Sequence, residues 1–256
     1  LGFALPNQPM GDVYNVYEPW STRALNGGPI VGVDEAWVYP QWALVPMILA
    51  HGFAWIGGYT IGWAMLVTSA NALAFALLVG RGTSHGRTVA AVFWLAYVVA
   101  LGPVSMYRLD GFTVPLVLAA CLWVVGRPLI ASLLLTVATW MKVWPAAVLA
   151  AAFVVVRRRV EIVGGALIVS GLTVAAVVLA GGASHLLGFV TGQTGRGLQV
   201  EAVVSTPYVW GALLGVEGHW VYYDPELITF QVTGWNVDIV IALMTPLLVI
   251  GMLAIL

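Results

Sequence analysis

Residues 58–80, GYTIGWAMLVTSANALAFALLVG, run for 23 positions without a charge and end in Arg81-Gly82-Thr83-Ser84-His85-Gly86-Arg87. About 20 apolar residues rising 1.5 Å each cover the hydrocarbon core of a bilayer, so this stretch reads as a crossing helix closed by a basic knot. The pattern recurs along the chain. Residues 88–104 lead to Tyr107-Arg108-Leu109-Asp110, residues 112–126 to Arg127, residues 128–141 to Lys142, and residues 145–156 to Arg157-Arg158-Arg159. Residues 162–180 then open a long loop, and a last apolar run begins near Val237. With 61% of all residues hydrophobic and 8% charged, the expected fold class is an all-α polytopic membrane protein.

A formal net charge of -1, with the cations scattered, argues against a nucleic-acid surface. The single cysteine, Cys121, excludes an intrachain disulfide. No P-loop, dinucleotide fingerprint or zinc-ligand spacing occurs. No repeat or linker divides the chain, so one membrane domain is expected: an outward loop at 1–40, a helical bundle at 41–180, a second outward loop at 181–236 and a helix at 237–256. The start at Leu1 and the apolar end suggest a piece of a longer protein, with Leu1 to Pro6 as the stump of a preceding span.

The basic residues orient the bundle. If the spans alternate, Arg81, Arg87, Arg127 and Arg157 to Arg159 share one side, which the positive-inside rule assigns to the cytoplasm. Arg23, Arg108, Lys142, Arg196 and every acid except Glu161 then face outward. Three runs, 112–126, 128–141 and 145–156, are short for a span. Residues 128–156 therefore also read as a broken, partly re-entrant element with its tip at Trp140-Met141-Lys142-Val143-Trp144-Pro145.

Two outward segments are large enough to build a site. Val13, Val16, Tyr17, Trp20 and Ala24 recur at helical spacing, as in a surface helix that is kinked at Pro19 or begins there. In the second segment, His219 to Tyr223 and Ile228 to Thr233 flank Asp224-Pro225-Glu226 and read as a small β-hairpin. A loop this long is expected to be functional.

Asp12 is placed to accept a proton from a substrate hydroxyl or to cap its own helix, and the two roles can coexist. Asp34-Glu35 could ligate a divalent cation, but no third nearby acid completes a set. Arg108 and Asp110 flank one short turn and are expected to pair with each other. Lys142, between two tryptophans, either snorkels to the interface or meets a lipid phosphate. Arg196, Glu201, His185 and His219 could contact phosphate or sugar, whereas His51 suits a packed role.

Taken in order, Gly11-Asp12-Val13-Tyr14 with Tyr17 and Trp20, Tyr39-Pro40-Gln41, Tyr107-Arg108-Leu109-Asp110-Gly111 and Lys142-Val143-Trp144-Pro145 resemble the GT-C glycosyltransferases. More narrowly they resemble glycosyltransferase family 87, the polyprenol-phosphate-sugar-dependent mannosyltransferases and related arabinofuranosyltransferases of actinobacterial envelopes. The family's frequent Tyr-Pro-Pro stands here as Tyr39-Pro40-Gln41. The resemblance implies a GT-C-like bundle and an inverting transfer of a sugar, mannose before arabinofuranose, from a polyprenyl phosphate donor. The acceptor would be a cell-envelope lipid or glycan on the outer face of the plasma membrane.

Asp12 is the residue that matches the family's catalytic base. Lys142, Arg108 and Arg196 would bind the donor phosphate, and Tyr14, Tyr17, Tyr39, Asp110, Glu201 and His219 would line the substrate. Phosphate is already a good leaving group, so no metal and no other cofactor is chemically required. The rival reading is a transporter or flippase of lipid-linked substrates, whose spans would carry polar residues throughout.

Overall fold

The structure is a computed structural model and describes residues 10–191, 197–225 and 229–255. The segment at Leu1 to Pro6 lies outside the described residues. The chain is mostly helical, with twelve α-helices and three short strands among the described residues. Two compact units divide it, Leu1–Gly192 and Gln193–Leu256. The division falls inside the segment read from the sequence as a second outward loop, where no linker composition marks a boundary.

Among the described residues of the first unit, a π-turn, Val13–Tyr17, continues directly into α1 (Glu18–Leu25). Of the kink or start expected at Pro19, the start is found: α1 begins at Glu18 with Pro19 in its first turn, directly after this widened turn. The Glu18 N–H reaches back to the Val13 carbonyl, one residue before Pro19, whose ring cannot donate and crowds the carbonyl four residues behind it.

Then follow α2 (Leu44–His51), α3 (Tyr59–Val79), α4 (His85–Leu101), α5 (Val104–Tyr107), α6 (Asp110–Trp123), α7 (Pro128–Met141), α8 (Pro145–Val155), α9 (Arg159–Leu179) and α10 (Gly188–Thr191). Each long apolar run of the sequence becomes one helix. Gly80 and Gly102 stop α3 and α4 at positive φ, and Pro128 and Pro145 open α7 and α8, where a missing N–H costs nothing. Arg87 folds back so that its Nε donates to the Leu78 carbonyl at 2.7 Å, with Leu77 also accepting from the guanidinium. The basic knot thus satisfies the carbonyl end of α3.

Helix α7 packs between α6 and α9. Its approach to α9 is close, because a Cβ on Gly165 would stand 2.7 Å from Ser132. The Ser132 hydroxyl donates to the Ile162 carbonyl, and Trp140 Nε1 donates to Ser170 Oγ at 3.0 Å. Both contacts join α7 and α9 in parallel. Asn71 Nδ2 ties α3 to the first turn of α6 by donating to the Gly111 carbonyl at 2.8 Å.

Helices α3 and α9 are long and apolar enough to cross a membrane, while α4, α6, α7 and α8 are apolar but shorter. At 1.5 Å per residue, α7 is about 21 Å long and α8 about 17 Å. Large apolar side chains stay exposed on the outer faces, among them Phe93 at 70% and Leu172 at 67%.

In the second unit, β1 (Leu198–Gln199), α11 (Thr206–Leu213), β2 (Trp220–Asp224), β3 (Thr229–Thr233) and α12 (Val237–Ile255) enclose a small core of Leu198, Tyr208 and Val232. The expected hairpin forms, with β2 and β3 antiparallel from Trp220↔Thr233 to Asp224↔Thr229. Strand β1 adds to the other edge of β3, giving the order β1-β3-β2.

Candidate active site

Asp12 sits at the start of the π-turn in helical backbone and makes no capping hydrogen bond through its side chain. Its Oδ2 accepts instead from the guanidinium of Arg108. Arg108 lies in extended backbone between α5 and α6, at φ -97° and ψ 160°, and Asp110 begins α6. That change of backbone direction alters the expected Arg108–Asp110 pairing. Arg108 goes to Asp12, and Asp110 goes to Lys142.

Lys142 is itself extended, between α7 and α8, and its Nζ lies 2.5 Å from Asp110 Oδ2. Trp144 Nε1 donates to the other carboxylate oxygen of Asp110 at 3.0 Å. Four charges expected in the site are thus assembled as two ion pairs, Asp12 with Arg108 and Asp110 with Lys142. All four side chains retain solvent access. The indole of Trp144 is the member that sequence reasoning missed, although its place in the short break after Lys142 was a usable signal.

Two phenols back this strip. Tyr17 is 1% exposed and packs on Trp63 with ring centroids 4.8 Å apart. Burial pushes its hydroxyl well above the ordinary tyrosine value, with Tyr39 and Asp12 adding to the rise and Arg108 opposing it. Tyr39, a hydrogen-bonding neighbour of Tyr17, is raised by burial first and by Asp12 next. Its ring stands edge-on to Trp20 and Trp37. Tyr14 is half-buried on the same turn.

Asp34, Glu35 and His51 have partners of their own. Asp34 Oδ2 accepts from the Ile30 N–H at 2.7 Å, and Glu35 pairs with Arg23, so these two acids close their own loop. Among the described residues no three His, Cys, Asp or Glu side chains gather as a metal set. His51 is packed as expected, with Nε2 at 2.9 Å from Ser21 Oγ and its ring against Tyr59. Arg196 lies outside the described residues.

Glu201 and His219 belong to the second unit, where Glu201 is exposed. His219 stacks on Tyr208 at 5.9 Å and meets Trp235 edge-on at 5.2 Å. A Cβ on Gly234 would come within 2.5 Å of the His219 ring, so this histidine is wedged as a packing group.

A groove of about 320 Å3 with only apolar lining runs between α2, α3, α6 and α7. Leu49, Leu66, Leu116 and Trp123 line it, together with Phe112 and Met141. Phe112 lies two residues from Asp110, and Met141 directly precedes Lys142. The groove therefore starts beside the charged strip and leads away from it. In chemical terms, the strip offers a carboxylate that can take a proton and cations that can meet a phosphate, and the groove offers room for a hydrocarbon chain.

No family model, curated protein or solved structure matches the chain.

Proposed function

We propose that the protein is a multi-pass membrane glycosyltransferase of GT-C-like architecture. It moves a sugar, mannose in the family it resembles, from a polyprenyl phosphate donor to an envelope lipid or glycan on the outer face of the plasma membrane. The observation that carries this reading is the Asp12 carboxylate. It is turned away from its own helix start and toward Arg108, in a unit that also holds the Asp110–Lys142 pair and an apolar groove beside it.

In this reaction the acceptor oxygen attacks the anomeric carbon, and its proton passes to Asp12. The bond from that carbon to the phosphate oxygen breaks, and polyprenyl phosphate leaves with the electron pair. Attack opposite the leaving group inverts the anomeric configuration. Arg108 and Lys142 stabilise the charge that grows on the phosphate, and the groove holds the first isoprene units.

The membrane placement is supported by α3 and α9, by the apolar residues exposed on their outer faces, and by charges confined to helix ends. The arginines following α3, α6 and α8 support a cytoplasmic side for those ends, with Asp12 outside. A transporter would place polar groups deep in several spans, whereas α3 carries no charge at all.

The test follows radiolabelled sugar from polyprenyl phosphate sugars to membrane acceptors with full-length protein. Transfer by the wild type, lost in Asp12→Asn and retained in Asp34→Asn, is the expected outcome. No transfer from any polyprenyl phosphate sugar would sink the reading.

A further inference from the structure

A second groove opens at the opposite end of the same helices. It measures about 560 Å3 and lies between the C-terminal half of α6, α7 and α8. Val124, Leu135, Val148 and Val155 give it an apolar wall, and Arg157 and Arg158 stand at its mouth. The Asp110–Lys142 pair occupies the other ends of these helices, so this groove is separate from the transfer site.

The charge at the mouth is unbalanced. Arg158 reaches Glu161 at 3.3 Å, and Arg159 turns away to lie over the Phe153 ring and donate to the Val154 carbonyl. Arg157 is exposed and makes no ion pair among the described residues. Two cations thus stand at the mouth against one acid, beside a hydrocarbon-lined slot.

We propose that this groove binds an anionic phospholipid, its acyl chain along the α6–α8 wall and its phosphate at Arg157 and Arg158. The proposal rests on the membrane reading above but not on the transfer reaction. A zwitterionic lipid would fill the wall equally well and leave the mouth uncompensated. Free phosphate would meet the arginines and leave the slot empty. Only a ligand with both parts satisfies the site, and basic pockets at the cytoplasmic ends of helices favour anionic headgroups for this reason.

Cys121 lines the groove and is the only cysteine in the chain, so its thiol is a built-in reporter. The experiment measures the rate of Cys121 alkylation by a maleimide in detergent-solubilised full-length protein. Phosphatidylglycerol, phosphatidylcholine with the same acyl chains, and inorganic phosphate are titrated separately. Phosphatidylglycerol is expected to protect at about tenfold lower concentration than phosphatidylcholine, and phosphate alone not at all. Arg157→Gln with Arg158→Gln should bring the two lipids level. Arg81→Gln, at the same end but off the groove, should keep the preference, and Ala151→Phe, which fills the slot, should abolish protection by both lipids.

Equal protection by the two lipids in the wild type overturns the proposal, as does protection by phosphate alone. Loss of preference in Arg81→Gln to the same extent as in the double variant does so too. Release of the wild type from membranes by alkaline carbonate would remove the membrane reading and this proposal together. Retention with no lipid preference would remove only the groove. Unchanged thermal melting of each variant shows that the fold is intact.

Discussion

The Asp12 carboxylate accepts from the Arg108 guanidinium across 96 residues of chain, so the acid at the head of the first helix is positioned by the turn before α6. The pair is part-exposed, at 23% for Asp12 and 40% for Arg108. Such pairs contribute at most about 1 kcal/mol to stability, which separates their chemical role from their structural one.

Asp12→Asn is therefore expected to melt near the wild type and to lose about 10² to 10⁴-fold in sugar transfer, the range attached to a positioned proton acceptor. Turnover and melting temperature measured on the same preparation check this. A fully active Asn variant would assign the base elsewhere.

Asp110 holds Lys142 and Trp144 at once, so the two contacts can be removed separately. Trp144→Phe deletes one hydrogen bond worth about 1 kcal/mol, and a rise in donor KM of about fivefold with kcat little changed is expected. Lys142→Met should raise donor KM further and lower kcat, because in the proposed reaction it removes a cation that meets the phosphate. Arg127→Gln, at the other helix end, should leave both constants alone.

Tyr17 provides a pH test whose sign follows from burial. Its folded pKa is raised above the unfolded value, so below about pH 10 the hydroxyl is neutral in both states and its full contribution to stability is present. Above about pH 10 the unfolded chain ionises while the buried phenol resists, and stability falls as pH rises. Chemical denaturation between pH 8 and pH 11 should show a steeper loss for the wild type than for Tyr17→Phe. Parallel curves would contradict this.

The α7–α9 contact predicts a difference between neighbouring glycines. Gly165→Ala drives a Cβ into Ser132 and should cost about 1 to 3 kcal/mol. Gly164→Ala meets open space and should be neutral or stabilising by up to about 1 kcal/mol. Thermal melts of the two variants decide it, and equal behaviour would mean that the helices are further apart.

The exposed face of α9 discriminates a membrane from water. Leu172→Arg should cost insertion about 2.5 to 3.5 kcal/mol near the centre of a span, seen as reduced recovery in membranes. In a water-soluble helix the same change would raise solubility instead.

Much of the helical order was legible because it follows from lengths and charges. Apolar runs bounded by Arg81, Arg127 and Arg157 could become little else, and glycine and proline marked their ends. The hairpin was legible from its alternation, but β1, only two residues long, leaves no periodic trace. For the charged residues of the candidate site, the sequence offered the names and not the wiring. Asp12, Arg108, Asp110 and Lys142 could all be picked out, yet who pairs with whom depends on the extended backbone at Arg108, which no local pattern encodes. The packing of His219 was not legible, because its neighbours Tyr208 and Trp235 approach only after folding, and glycines at 211 and 234 let them close on it.

The π-turn at Val13–Tyr17 makes the strip sensitive to chain length rather than to side-chain identity. In an α-helix five residues advance about 500°, which would leave positions 12 and 17 about 140° apart around the axis. Closing the turn five residues on brings them to one side, where Asp12 acts on the Tyr17 hydroxyl. Deleting one residue within the turn would restore ordinary winding and swing Asp12 by about 100°, off Arg108, while α1 stayed helical. A single-codon deletion could thus silence this protein while leaving every residue of the charged strip in the gene.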